Sequence, residues 1–383
     1  MTEHHIELDT GVLRLQVRKA RFPLDDLCGF AARDNPKRGF LFVSKVLGKH
    51  WPVTPSRMRE IHAHLARRLE LGPGPWLCIA MAETATGLGQ GVFEALLEHK
   101  PDADALFVHS TRYHLPDWPR LEFQEPHCHA PQQLLYEPFD PHLRERFRTA
   151  RELILIDDEI STGSTFCNLA AAYQRLNPNL ERVHFVAITV FSGAESAPAW
   201  SRQLGLPVST LSALEAELTF TPAASIATQL PPSAVGDNRR QPEQLANHSS
   251  GRLGVDTRLA LPEADIQDLA RDLAPGAKVL MLGTGEYMHL AYRIGLELEA
   301  RGLETQVQAT TRSPIRLGAD IQRRLVFQDN YGEGIANYLY NVDPAAFDRI
   351  ILCHETPIDD LSDLVHNLGP ACMTYRHPDP LPA

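Results

Sequence analysis

Apolar and polar positions along the chain follow two alternating rhythms. The first helical stretch opens at Thr54-Pro55, a capping residue followed by a proline suited to the first helical position. Met58, Ile61, Leu65 and Leu69 then recur at helical spacing until Gly72. Residues 76–82 form a short apolar run and read as a buried strand. Residues 87–97 read as a helix, 105–108 as a strand, and 153–156 as another buried strand. Phe166, Leu169, Ala170, Tyr173 and Leu176 mark a helix, and residues 183–191 a further strand. Strands alternating with amphipathic helices predict an α/β fold, a parallel sheet with helices on both faces. Residues 113–150 break the rhythm. A stretch of that length in a compact domain is either functional or holds an element the pattern does not mark.

From about residue 221 to 261 the pattern dissolves into Pro, Ser, Gln and Asn, as in a linker or an ordered arm. A second α/β run follows. Residues 278–282, 305–309, 349–353 and 371–375 read as strands, and 287–301, 334–340 and 359–367 as helices. A chain of 383 residues accommodates two domains. The expected division is 1–220, with 1–53 as a covering N-terminal part, then 221–261 as linker or arm, and 262–383 as a smaller α/β domain.

Composition narrows the function. The 48 acidic residues outnumber 37 basic ones, for a net charge of −11. Neither half of the chain is basic, which argues against a broad nucleic-acid surface. No apolar run reaches the ~18 residues of a membrane helix, so no membrane partner is expected. The N-terminus lacks a signal-peptide pattern, and six scattered cysteines read as reduced thiols. A cytoplasmic protein is the expectation. Lysine is scarce at six residues, yet Lys37, Lys45 and Lys49 fall close together.

The sharpest motif spans residues 153–165, Leu-Ile-Leu-Ile-Asp-Asp-Glu-Ile-Ser-Thr-Gly-Ser-Thr. Four apolar residues make a strand, an acid pair sits at its end, and a Ser/Thr/Gly turn enters a helix. Ligands of open parallel sheets bind outside the carboxyl ends of the strands. The turn directs backbone N–H groups and the positive helix end at an anion, which suits phosphate. Two acids beside a phosphate must hold something else, and sugar hydroxyls, with Mg²⁺ near, suit them. The bland alternative is a solvated turn with a helix cap.

This stretch resembles the phosphoribosyl pyrophosphate motif of type I phosphoribosyltransferases. The resemblance implies that Asp157 and Asp158 take the ribose hydroxyls, near Mg²⁺, and that Ser161, Thr162, Gly163, Ser164 and Thr165 take the 5-phosphate. In the 6-oxopurine branch an Asp acts on the base at the place of Ser161, so the turn looks more like the orotate branch. Glu159 replaces a usual apolar residue. In the family a small-residue loop after an early strand grips pyrophosphate. Glu83, Thr84, Ala85, Thr86 and Gly87 fit it by position, although Glu83 is a poor neighbour for pyrophosphate. Arg112 follows the next strand, where the family carries a basic residue, and its fork matches phosphate oxygens. The family's mobile lid would fall within 113–150. That stretch holds no Lys, so His127 and His129 are the expected replacements. The lysine cluster flanks an apolar strand suited to a hood over the base, and alternation favours Lys45 as its facing residue. A solvated edge strand guarded by Lys is the alternative.

In the second run, three polar segments stand at predicted strand ends: Gly283-Thr284-Gly285-Glu286, Thr311-Arg312-Ser313-Pro314 and His354-Glu355-Thr356-Pro357. Three on one edge imply a shared crevice, with Gly283, Gly285, Glu286, Arg312, Ser313, His354 and Glu355 as its candidate residues. Met288 occupies the third glycine position of a dinucleotide motif, which argues against a dinucleotide site. The Thr-Arg-Ser-Pro tetrapeptide resembles the signature of the TRSP domain, found C-terminal to a phosphoribosyltransferase domain in proteins linked to tellurite-resistance and stress gene clusters.

Together the resemblances imply a type I phosphoribosyltransferase-like parallel sheet flanked by helices, followed by a second, smaller Rossmann-like α/β domain. They imply an Mg²⁺-dependent transferase using phosphoribosyl pyrophosphate and an unidentified acceptor to make a nucleotide- or nucleoside-like metabolite, with a homodimer expected. A sensor that kept the sugar-phosphate site without turnover is the alternative from another class. Hydrolysis or phosphorolysis of a nucleotide at the same site is a third.

Overall fold

The structure, a computed structural model, describes residues 2–33, 38–115, 117–124, 132–193, 195–223 and 250–378. The first domain begins with the hairpin β1 (Thr2–Leu8) and β2 (Gly11–Ala20), a short helix α1 (Leu24–Leu27), and a second hairpin, β3 (Cys28–Ala32) and β4 (Phe40–Ser44). It continues through α2 (Pro55–Arg67), β5 (Trp76–Ala80), α3 (Thr86–His99) and β6 (Ala105–His109). A third hairpin, β7 (Arg120–Gln124) and β8 (Gln132–Tyr136), leads to α4 (Pro141–Thr149). Then come β9 (Glu152–Ile160), α5 (Ser164–Leu176), β10 (Arg182–Val190), α6 (Ser196–Leu204) and β11 (Val208–Pro222).

Seven strands form one sheet in the order β1-β2-β11-β10-β9-β5-β6. The five later strands are parallel, and β2 adds antiparallel to β11. Strand alternation sorts the core. Ile154 and Ile156 face α2 and α3 with Leu65, Val92 and Phe93, while Leu153 and Leu155 face α5 and α6 with Phe166, Leu169 and Trp200. The acid-bearing strand β9 is therefore central and buried on both faces. The β3–β4 hairpin forms a separate two-stranded sheet. The β1–β2 hairpin belongs to the main sheet.

The second domain holds α7 (Glu263–Leu269), β12 (Lys278–Gly283), α8 (His289–Ala300), β13 (Glu304–Ala309), β14 (Arg324–Gln328) and β15 (Ala336–Tyr340). It ends with β16 (Arg349–Cys353), α9 (Ser362–Leu368) and β17 (Cys372–Tyr375). Its parallel sheet runs β13-β12-β16-β17. Val279, Met281 and Ile351 pack against Ile294 and Leu298 on one side, and Leu280, Leu282 and Ile350 against Leu364 and Leu368 on the other. This is the expected Rossmann-like layer arrangement. One expected helix is corrected: residues 334–340 contain the strand β15, paired antiparallel with β14. Gly332 and Gly334 have φ of +73° and +70°, which breaks a helix before it starts. Tyr338 and Tyr340 then stack along the strand at 5.7 Å.

The two domains pack along a continuous seam. Helices α3 and α8 meet through Glu94, which accepts from His289 Nε2 at 2.9 Å and pairs with Arg293. Val53 bridges Val307, and Ala309 N–H donates to Gly48 O at 2.8 Å. Residues 250–256, expected as linker or arm, are an ordered arm: Val255 exchanges backbone bonds with Phe107 at the free edge of β6.

Candidate active site

Strand β9 does not stop at the acid pair. It continues to Ile160, so Asp157, Asp158 and Glu159 are strand residues, half-buried at the carboxyl edge of the sheet. The Asp157 carboxylate accepts the Asp158 N–H at 2.9 Å, and Asp158 Oδ1 accepts the Thr84 hydroxyl at 2.9 Å. Glu159 pairs with Arg38 at 2.6 Å. Burial raises the Glu159 carboxyl above its ordinary range and Arg38 only partly offsets it. The departure seen in sequence is thus absorbed by a local ion pair.

The turn that follows is shaped by Gly163. Its φ of +74° lies in the left-handed region, and a Cβ there would come within 2.4 Å of the Trp200 ring. Trp200 Nε1 donates to Thr162 O at 3.2 Å and so braces the turn from behind. Helix α5 starts at Ser164 with no side-chain cap from Gly163. The Thr162 and Ser164 hydroxyls lie 2.9 Å apart. Ser161, Ser164 and Thr165 are partly exposed and Thr162 is exposed. First-turn N–H groups and hydroxyls therefore converge just beyond two carboxylates, which is a setting for an anion beside a polyol.

The loop 82–87 lies next to this turn, because β5 pairs with β9. Thr84 ties it to Asp158. Ala85 and Gly87 are buried, and a Cβ on Gly87 would meet Met288 of the second domain at 2.5 Å. The Thr86 hydroxyl donates to Glu286 O at 2.8 Å. Glu83 points into the seam, 2.9 Å from Lys49 Nζ and 3.9 Å from Arg312 Nε. Burial pushes its carboxyl up, but Lys49, Arg312 and the Thr311 hydroxyl outweigh this and hold it at about 2. Arg112 follows β6 as expected, half-buried, and its N–H donates to Glu286 Oε1 at 2.9 Å.

Lys45 is placed differently from Lys49. Lys45 stands just past the end of β4, 3.7 Å from Asp320 and over the Trp51 ring. Lys49 is the lysine brought to the 82–87 loop, with no exposed side-chain surface. The sequence signal for it was the lysine cluster itself. His127 and His129 lie outside the described residues.

The strand-end residues of the second domain do come together, but their crevice is filled. Glu286 accepts from the Thr111 hydroxyl at 2.6 Å, and Glu355 accepts both Arg252 guanidinium nitrogens at 2.9 and 3.0 Å. Arg252 also lies 3.3 Å from Glu286 and over the Tyr113 ring, which stacks on Tyr331 at 4.1 Å. Gly283 and Gly285 let the loop pass close to Met288, Tyr113 and Tyr331. Arg312 pairs with Glu333 at 2.6 Å, Ser313 O accepts the Tyr340 hydroxyl at 2.9 Å, and His354 Nδ1 bonds Thr356 O at 2.7 Å. Arg252 was missed in sequence. It lies in an aperiodic stretch, and nothing local marks it.

For Mg²⁺, the donor chemistry fits. Among the described residues no three of His, Cys, Asp and Glu could hold a metal ion by themselves. Mg²⁺ at phosphate-handling sites typically uses one or two carboxylates plus substrate phosphates. Asp157 and Asp158 are hard oxygen donors of that kind.

Comparison with protein families matches residues 27–217 to phosphoribosyl transferase and residues 249–368 to the TRSP domain C-terminal to it. The chain belongs to this phosphoribosyl transferase family. It is a phosphoribosyltransferase with a TRSP domain behind the transferase domain, in the order expected from the two motifs. No curated protein matches the chain. Among solved structures, it is similar to adenine phosphoribosyl transferase from Trypanosoma brucei, with a TM-score of 0.35 and 14% identity, covering 55% of this chain and 87% of that one. It is also similar to adenine phosphoribosyltransferase from Thermoanaerobacter pseudethanolicus, at 0.32 and 16%, covering 47% and 92%. A hypoxanthine phosphoribosyltransferase from Staphylococcus aureus gives 0.26 and 12%, covering 44% and 79%. No helix among the described residues is long and apolar enough to cross a membrane.

Proposed function

We propose that the chain transfers a ribosyl 5-phosphate group from phosphoribosyl pyrophosphate to an acceptor, making a nucleotide- or nucleoside-like product. The observation that carries this is the junction at 157–165: an acid pair ends a central parallel strand and runs directly into a turn of hydroxyls and N–H groups. Asp157 and Asp158 hold the ribose 2- and 3-hydroxyls. Ser161 to Thr165 hold the 5-phosphate. The loop 82–87 and Arg112 meet the pyrophosphate. In the reaction the bond from ribose C1 to pyrophosphate breaks and one to the acceptor forms, so orientation, anion stabilisation and water exclusion are the protein's tasks. Asp157 and Asp158 are the residues that would stand nearest Mg²⁺, which would supply charge neutralisation for the pyrophosphate when bound.

His127 and His129 belong to the proposed lid, and Lys45 to the cover over the acceptor. Glu286 and Glu355 serve the second domain by holding Arg252. A homodimer working in the cytoplasm, in a stress or tellurite-resistance setting, completes the proposal. Calorimetric titration with phosphoribosyl pyrophosphate and Mg²⁺ tests it. The unaltered chain is expected to bind and the Asp157→Asn, Asp158→Asn double variant to bind at least ~10-fold more weakly, as loss of charge-assisted hydrogen bonds dictates. Equal heats from both would defeat the assignment.

A further inference from the structure

A carboxylate in a loop that grips pyrophosphate should repel its ligand, yet Glu83 stands in such a loop. The structure shows where its charge goes. The side chain leaves the 82–87 loop for the domain seam and keeps only 9% of its surface exposed. Three groups meet it there: Lys49 Nζ at 2.9 Å, Arg312 Nε at 3.9 Å, and the Thr311 hydroxyl. Lys49 comes from the segment after β4 and is anchored by donating to Gly285 O at 2.7 Å. Arg312 comes from the second domain and is braced by Glu333 at 2.6 Å. Lys49 has no exposed side-chain surface, and its ammonium meets Glu83 and Gly285 O. The charges that neutralise the loop's own acid are thus supplied from outside it, one of them by the TRSP domain.

We propose that Lys49 and Arg312 are positioning residues for pyrophosphate, holding the Glu83 carboxylate in the seam and cancelling its charge, so that the second domain sets the anion affinity of the transferase site. The proposal rests on the placement of pyrophosphate at loop 82–87 given above. It differs from a plain structural role in its sign. Removing Arg312 leaves Glu83 in the loop and Glu333 in the second domain uncompensated, and the harm that runs through Glu83, felt over several ångströms at low effective dielectric, is the part that neutralising Glu83 relieves.

The full-length chain is titrated separately with inorganic pyrophosphate plus Mg²⁺ and with ribose 5-phosphate. Arg312→Gln is expected to weaken pyrophosphate on the order of 10-fold, the size of one poorly screened charge pair, with ribose 5-phosphate unchanged. Adding Glu83→Gln to Arg312→Gln is expected to restore most of the loss. Arg312→Lys is expected to retain most of the affinity. The proposal is overturned if Arg312→Gln binds pyrophosphate as the unaltered chain does, if both ligands weaken equally, or if Glu83→Gln brings no recovery. An unaltered chain that binds neither ligand would instead overturn the transferase site itself, and this proposal with it.

Discussion

Gly163 is the residue on which the phosphate turn depends most. Its left-handed φ and the Trp200 ring at the position of a Cβ leave no room for a side chain. Gly163→Ala is therefore expected to cost about 1 kcal/mol or more in stability and to weaken ribose 5-phosphate. Urea unfolding and calorimetry check it, and an Ala variant that keeps both stability and affinity would show that the turn does not need this geometry. At this scale much of the proposed site could be read in advance. The acid pair and the hydroxyl turn stand out because they are contiguous in sequence, and Arg112 because it follows a readable strand. The meeting of Lys49 with Glu83 could not be read. Side-chain alternation holds only along β4, which ends at Ser44, and residues 45–51 follow a bent path that carries Lys49 to Glu83.

The packing of α3 on α8 turns on one acid. Burial pushes the Glu94 carboxyl up, but His289, Arg293 and the Leu259 N–H outweigh it and hold it at about 2. Glu94→Gln leaves Arg293 buried against a neutral partner and is expected to cost about 3 kcal/mol near neutral pH. Because the folded carboxyl titrates below its unfolded value, this contribution is complete above the ordinary carboxylate range. It fades as pH falls from about 4.5 towards 2. Unfolding free energies of both forms at pH 7 and pH 3 should therefore converge, and a difference independent of pH would contradict the assignment. Element types were legible where apolar periodicity was long, as in α2, α3, α5 and the buried strands. Helix α4 was hidden because Phe147 is its only buried residue. Strand β15 was misread because four residues of Asn-Tyr-Leu-Tyr carry no period that separates strand from helix.

At the scale of the whole molecule the two domains behave as one unit around the seam. Lys49 reaches Gly285, Thr86 reaches Glu286, and Thr111 shares Glu286 with Arg252. The contacts of Lys49, Thr86 and Thr111 join residues 236, 200 and 175 positions apart, which is why domain order was legible and the seam was not. A chain ending at residue 223 would bare Val53 and Met58, which pack in the second domain's core, and would strand Lys49 and Glu94 without their cross-domain partners. It is expected to aggregate or to lose a cooperative unfolding transition in size-exclusion and thermal-melt experiments. A monomeric, cooperatively folding fragment would show the seam to be dispensable. The net charge of −11 also takes its place at this scale. An acidic chain can bind phosphate because helix-end and loop N–H groups, with a few arginines, do the binding locally. The central claim is that ribose 5-phosphate sits at 157–165, and a crystal structure of the full chain soaked with phosphoribosyl pyrophosphate and Mg²⁺ tests it most directly. The account predicts the 5-phosphate within hydrogen-bond distance of the Ser161–Thr165 amides and hydroxyls, and the ribose hydroxyls on Asp157 and Asp158. Ligand density elsewhere, with this turn bare, would contradict it.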